Sequence, residues 1–386
     1  MRDFVMTSTS LTEGHPDKLS DSISDAIVDA YLLRDPEARV SAECAVASGV
    51  VFLSVHVASE ASVDLPQLTR DVIAEAGYAD TDFSPEKVAI LSSVSPHRRS
   101  AEAMGSRIES LNTTVFGYAC RHTTEMMPMS IALAHRLARR LSRLRRDDER
   151  FAALHPDGQV QVAVRYADRQ PQRLETVMVF SALKTGEHFS RIAEADVRNE
   201  VVAPVLAELD LPSGDATVAV LLEDAETSGG PTWHGGLTGR KNQVDSYGGY
   251  CRHGGAALSG KDPWRIDRLG AYAARYAAKS IVAAGLASEC EVQLSYTMSQ
   301  RAPLSVEIDS FGSATKPDDM IADALGALID FGAAGLMERF NLGQVPSECG
   351  GRFFQDLAVF GHFGRSELAP PWERIDLADR LQRDLG

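Results

Sequence analysis

Apolar residues return along the chain in two rhythms. Residues 20–33 place Ile23, Ile27 and Tyr31 at helical spacing, and residues 64–76 keep that period. Residues 39–59 alternate instead, which predicts two strands around an Ala47-Ser48-Gly49 turn. A stretch rich in Ser, Arg and Gly from 92 to 114 follows neither period and reads as a loop. The middle third predicts strands at 159–166, 174–181 and 216–222, with a helix near 195–209. The last third opens on glycine-rich loops, then predicts helices at 263–284 and 317–331 and strands at 291–298 and 305–311. Strands and long helices mix in every third, so the expected class is α/β, with α+β mixed layers. No low-complexity linker or sequence-level repeat separates the thirds.

Leu133, Leu137, Leu141 and Leu144 keep helical spacing and interleave with Arg136, Arg139, Arg140, Arg143, Arg145 and Arg146. That pattern predicts an amphipathic helix with a solvated basic face, in preference to an RNA-binding or partner-binding one. The whole-chain charge of −15 supports that choice, because it opposes non-specific binding to nucleic acid or anionic membrane. At 386 residues, 44% hydrophobic and 24% charged, the composition is that of a globular protein of two or three domains. No apolar run approaches the roughly 18 residues of a membrane span. The N-terminus lacks a signal-like apolar segment, and Cys44, Cys120, Cys251, Cys290 and Cys349 form no C-x-x-C pair. A reducing cytoplasm and no zinc site are therefore expected.

Two stretches carry candidate chemistry. In Thr12-Glu-Gly-His-Pro-Asp-Lys18, the residues His15, Asp17 and Lys18 crowd the start of the first predicted helix. Free backbone N–H groups and the positive end of a helix dipole suit a phosphate there, although ordinary capping explains the same residue types. Between 228 and 265, paired glycines alternate with Arg240, Lys241, Lys261 and Arg265. Glycines let a backbone approach a ligand closely and the cations neutralise phosphate, so a polyphosphate site is expected. The spacing is not that of a Walker A loop.

These stretches, with Phe116-Gly-Tyr-Ala119, Val244-Asp-Ser-Tyr-Gly-Gly249, His253-Gly-Gly-Ala-Ala-Leu-Ser-Gly-Lys-Asp-Pro263, Ala271-Tyr-Ala-Ala-Arg275 and Gly361-His-Phe-Gly-Arg365, resemble the motifs of S-adenosylmethionine synthetases in family order. The resemblance implies three similar α/β domains around a pseudo-threefold axis, here 1–98, 110–228 and 229–386. It also implies a homodimer with active sites at the subunit interface, a tetramer being possible. In that family methionine sulfur attacks C5′ of ATP and expels triphosphate, which is then hydrolysed. By similarity His15 assists departure of the triphosphate and Arg240, Lys241 and Lys261 neutralise it, with Lys18, Asp157 and Arg265 also lining the nucleotide. Asp17 and Asp267 would hold Mg2+, and Glu43 would hold K+.

Several positions depart from the family pattern. His56 and His234 stand where the family has carboxylates that receive the methionine ammonium, and His97 stands near the expected carboxylate contact. Leu111 replaces an aspartate of the nucleoside pocket, Ala225 and Glu226 replace an arginine and an aromatic, and Gln159 replaces a lysine. Imidazoles in place of carboxylates predict poor binding of zwitterionic methionine and suit a carboxylate or phosphate where an ammonium would sit, a reading preferred to a metal held by His56, His97 and His234. The expected function is thus a divergent transferase of specialised metabolism, joining a small-molecule nucleophile other than ordinary methionine to a nucleotide. The alternatives are an ordinary methionine adenosyltransferase, a tripolyphosphate or nucleotide hydrolase, and a non-catalytic partner of a genuine synthetase.

Overall fold

The computed structural model describes residues 3–79, 81–96, 112–184, 192–224, 229–298 and 300–386. Its strands are β1 (Asp3–Leu11), β2 (Arg39–Ala47), β3 (Val50–Ala58), β4 (Ala89–Pro96), β5 (Thr113–Cys120), β6 (Leu154–Ala167), β7 (Gln170–Leu183), β8 (Thr217–Asp224), β9 (Gly236–Leu237), β10 (Glu289–Tyr296) and β11 (Ser305–Asp309). They form three sheets, ordered β1-β6-β7-β8, β11-β10-β5 and β4-β3-β2-β9. One long helix backs each sheet: α1 (Pro16–Leu32) on β2, α3 (Met129–Asp147) on β1 and β6, and the helix Ile266–Ala283 on β5 and β10. The mixed α/β layers and the three repeated sheet-and-helix units match the expected class. Each sheet also takes one strand from outside its own third, so β1 sits in the middle sheet, β5 in the last and β9 in the first.

Helix α1 explains how these units lock together. Almost every residue on it is buried, including Asp17, Asp21, Asp25 and Asp29. Their four-residue spacing puts all four carboxylates on one stripe of the helix, pointing into the last third of the chain. Asp17 pairs with Lys241, Asp21 accepts the Gly239 N–H at 2.7 Å, and Asp25 accepts the Gly260 N–H at 2.9 Å and the Arg268 guanidinium at 2.6 and 2.7 Å. Asp29 accepts the N–H groups of Phe354 and Gln355 at 3.1 and 2.9 Å. Burial still pushes the Asp29 carboxyl up to about 8, although those two N–H groups oppose the rise.

Two glycines make the contact possible. A Cβ on Gly236 would lie 2.1 Å from the Pro16 carbonyl carbon, and one on Gly260, whose φ is +77°, would lie 2.1 Å from the Ala42 oxygen. No other residue lets β9 and the 260 turn press against α1 and β2 so closely.

Two expectations are corrected here. The basic face of α3 is not simply solvated: Arg136 pairs with Glu125 at 3.0 Å, Arg139 with Glu367 at 2.6 Å and Arg146 with Glu13 at 3.1 Å, while Arg145 is buried against Glu13. The helix expected at 195–209 is broken into Glu194–Val197, a π-type turn over Arg198–Val202, and Ala203–Ala207. Pro204 lacks the N–H that would reach the Glu200 carbonyl, and that carbonyl accepts from Arg140 of α3 instead.

Candidate active site

The segment before α1 is stapled to β6. Thr12 donates its hydroxyl to the Pro156 carbonyl at 2.6 Å and accepts the Gly158 N–H at 2.7 Å, while the Tyr78 hydroxyl donates to the Gly14 carbonyl. These contacts hold His15 at the N-cap of α1, facing Asp157 of β6. His15 Nδ1 accepts the Asp17 N–H at 3.2 Å, so the neutral ring carries its proton on Nε2. Burial lowers the His15 pKa to about 4 against the opposing pull of Asp157 and Asp17, leaving a neutral N–H donor at physiological pH.

His234 completes the cluster. Its Nε2 lies 3.0 Å from Asp157 Oδ2, which also accepts the Gly230 N–H at 2.9 Å, and its ring centre is 5.1 Å from that of His15. Burial raises the Asp157 pKa, but His234, His15 and the Gly230 amide outweigh it and hold the carboxyl below its usual range. Trp233, the residue before His234, is 63% exposed. Two of the expected cations meet at Asp17. Lys241 pairs with Asp17 Oδ2, and Arg240 Nε is 3.6 Å from Asp17 Oδ1. Lys261 pairs with Asp267 at 2.7 Å, and its backbone bridges to Ser41 of β2. Arg265 is half-buried at the N-cap of Ile266–Ala283.

Lys18, expected at the phosphates, is elsewhere. It is fully buried, with its ammonium held by Asp21 at 2.7 Å and by Asp245, which makes it an internal anchor of α1. Of the trio His56, His97 and His234 raised as a possible metal site, the structure describes His56 and His234. His56 lies on the outward face of β3, opposite Ser41, whereas His234 meets His15 and Asp157. His97 and Leu111, like Ala225 and Glu226, lie outside the described residues. Glu43 stands exposed on the same outward face as His56. Sequence reasoning missed Tyr78, the aspartate stripe and His155, whose Nδ1 accepts the Asp157 N–H at 3.3 Å. The stripe left a visible signal in its i, i+4 spacing, but Tyr78 and His155 left none.

The residues present fit a divalent cation at Asp17. Its Oδ1 is buried and has no hydrogen-bond partner, as a hard metal ligand requires. A neutral imidazole donor beside Asp17, with Arg240 and Lys241 on that same carboxylate, is an arrangement suited to expelling and holding a polyanion.

The comparisons with known proteins agree with that class. Residues 3–99 match the S-adenosylmethionine synthetase N-terminal domain, 112–223 the central domain and 228–374 the C-terminal domain. The S-adenosylmethionine synthase of Crocosphaera subtropica is 40% identical over 410 residues, covering 100% of this chain and 98% of the relative. That of Synechococcus elongatus is 40% identical over 410 residues, covering 99% and 98%, and that of Acaryochloris marina is 40% identical over 414 residues, covering 99% and 97%. The chain belongs to the S-adenosylmethionine synthetase family and is an enzyme of that transferase class.

Proposed function

We propose that this chain is a methionine adenosyltransferase. The altered pocket residues predict another nucleophile, but a likeness of 40% across the full length of relatives named S-adenosylmethionine synthase favours methionine itself. The observation that carries the reading is His15, a neutral Nε2–H donor fixed beside Asp17, Arg240 and Lys241. In the reaction the thioether sulfur gives its lone pair to C5′ as the C5′–O5′ bond breaks, and that electron pair leaves on the triphosphate. The sulfur becomes a sulfonium without losing a proton. His15 donates a hydrogen bond to the departing oxygen, while Arg240, Lys241 and Lys261 hold the chain of phosphates. Asp17 and Asp267 are the residues that would hold Mg2+, which when bound adds charge neutralisation on the leaving phosphates. Glu43 is the candidate for K+. All five cysteines are unpaired, which supports a reducing compartment.

One observation favours a second reading. Asp157 is already paired to His234 at 3.0 Å, where the resemblance leads one to expect a carboxylate for the substrate ammonium. A thioether acid without an α-amine would suit that environment. Comparing methionine with 4-(methylthio)butanoate, the same chain without the amine, separates the two. A kcat/KM at least tenfold higher for methionine supports the first reading, and the reverse order supports the second.

We further propose that the protein is a homodimer through the outward face of the β4-β3-β2-β9 sheet. Leu237, Ala45, Phe52 and Leu91 are cross-strand neighbours in one row of that face, with Phe52 47% and Leu91 56% exposed. Glu43 and His56 occupy the following rows, so a second copy seated there would close over both. Phe52→Asp is expected to give a monomer in size-exclusion chromatography with light scattering. A dimer of unchanged strength would contradict this face; in a tetrameric wild type, the variant is expected to lose this one interface.

A further inference from the structure

We propose that His15, Asp157 and His234 form a binding site for a first-row transition metal of the zinc class, and that its occupancy stops the chemistry of the active site. Two imidazoles and one carboxylate offer donor atoms that all lie within 4.8 Å of one another. Around tetrahedral zinc, with bonds of about 2.0–2.1 Å, ligand atoms stand roughly 3.3 Å apart, so the cluster needs a contraction of about an ångström or more. His234 Nε2 and Asp157 Oδ2 are already 3.0 Å apart. His234 can move, because it is partly exposed and follows Gly229-Gly230, and Gly230 has a φ of +72°. His15 and Asp157 are fixed by the Thr12 and Tyr78 staples.

The donor set selects the metal. Imidazole nitrogen suits zinc, cobalt, nickel or copper, whereas Mg2+ prefers oxygen only. The site therefore differs in chemistry from the carboxylates Asp17 and Asp267. Coordination through His15 Nε2 moves the ring proton to Nδ1, which gives up the Asp17 N–H it accepts now and turns to donate to Asp17 Oδ2, 3.9 Å away. A carboxylate behind a ligating histidine in this way orients the ring and raises its basicity. Three protein ligands leave a fourth position for water or a substrate group.

The consequence follows from one atom. The Nε2 that ligates the metal is the Nε2 that donates to the departing triphosphate, so the metal and turnover exclude each other. Binding is independent of the adenosyl-transfer reading; only the inhibition rests on it.

The test uses the full-length protein stripped of metal. Zinc is titrated against a chromophoric chelator, and Co2+ is followed by its visible absorption. One zinc per chain is expected, with a Co2+ spectrum of low coordination number and nitrogen ligation. His234→Ala and His15→Asn are each expected to weaken zinc binding at least about tenfold, with His56→Ala unchanged. Because His234 lies on a partly exposed loop, its removal leaves the fold intact, which a thermal melt checks. The expected functional result is zinc inhibition of the wild type that is relieved in proportion in His234→Ala, each measured against its own zinc-free rate. No zinc binding, or equal binding by wild type and His234→Ala, overturns the site. Binding without inhibition in an active enzyme overturns the switch.

Discussion

Replacing His15 with asparagine is expected to lower kcat by about 10²–10³-fold, the range for losing one positioned hydrogen-bond donor to developing negative charge. Asparagine is itself a good N-cap, so its side-chain oxygen can still accept the Asp17 N–H that His15 Nδ1 accepts now, and α1 should start as before. What it removes is the Nε2–H at imidazole reach. The expected signature is a fall in kcat with an unchanged melting temperature, read from steady-state kinetics and circular dichroism. A variant within a few-fold of wild type would show that the cations alone carry the departure of the triphosphate.

The largest effect on stability is expected at Arg268. Its side chain is wholly buried, bonded twice to Asp25, donating to the Lys261 carbonyl at 2.7 Å and lying 4.4 Å from the centre of the Phe354 ring. Arg268→Ala leaves the Asp25 carboxylate buried without its counter-charge, at a cost of about 3–5 kcal/mol. Urea unfolding at fixed protein concentration measures the loss, since subunit association adds to apparent stability. The double variant Arg268→Met with Asp25→Leu should recover most of it, because two apolar groups leave no orphan charge. If the double variant is no better than the single, the pair matters for its geometry and not for its charge.

That buried pair also shows what a sequence can and cannot disclose. The helices and strands with strong periods, such as β3, α1 and Ile266–Ala283, were legible because burial of one face forces a repeat on the residues. The gathering of cations among glycines was legible too, and the structure brings Arg240 and Lys241 together at Asp17. Lys18 was misread because its local context, the start of a helix beside His15 and Asp17, suits a phosphate as well as it suits an ion pair. Its true partner Asp245 lies 227 residues away, and no local pattern reports a contact of that range. The break at Pro204 could have been anticipated from the missing N–H, but the Arg140 side chain that accommodates it comes from another helix. The exchange of β1, β5 and β9 between sheets is likewise a matter of long-range pairing. For the substrate, the substituted histidines weighed too heavily. Reading each as a lost contact ignores that His234 gains one, to Asp157, whose carboxylate came from a separate strand.

The central claim is that this site joins methionine sulfur to C5′ of ATP. The most direct measurement incubates the purified protein with ATP, Mg2+ and K+, with and without methionine, and resolves the products by mass spectrometry and phosphorus NMR. The account predicts a sulfonium of methionine and adenosine that forms only when methionine is present, together with pyrophosphate and phosphate in equal amounts. Release of phosphate from ATP with no sulfonium, at the same rate whether or not methionine is added, would contradict it.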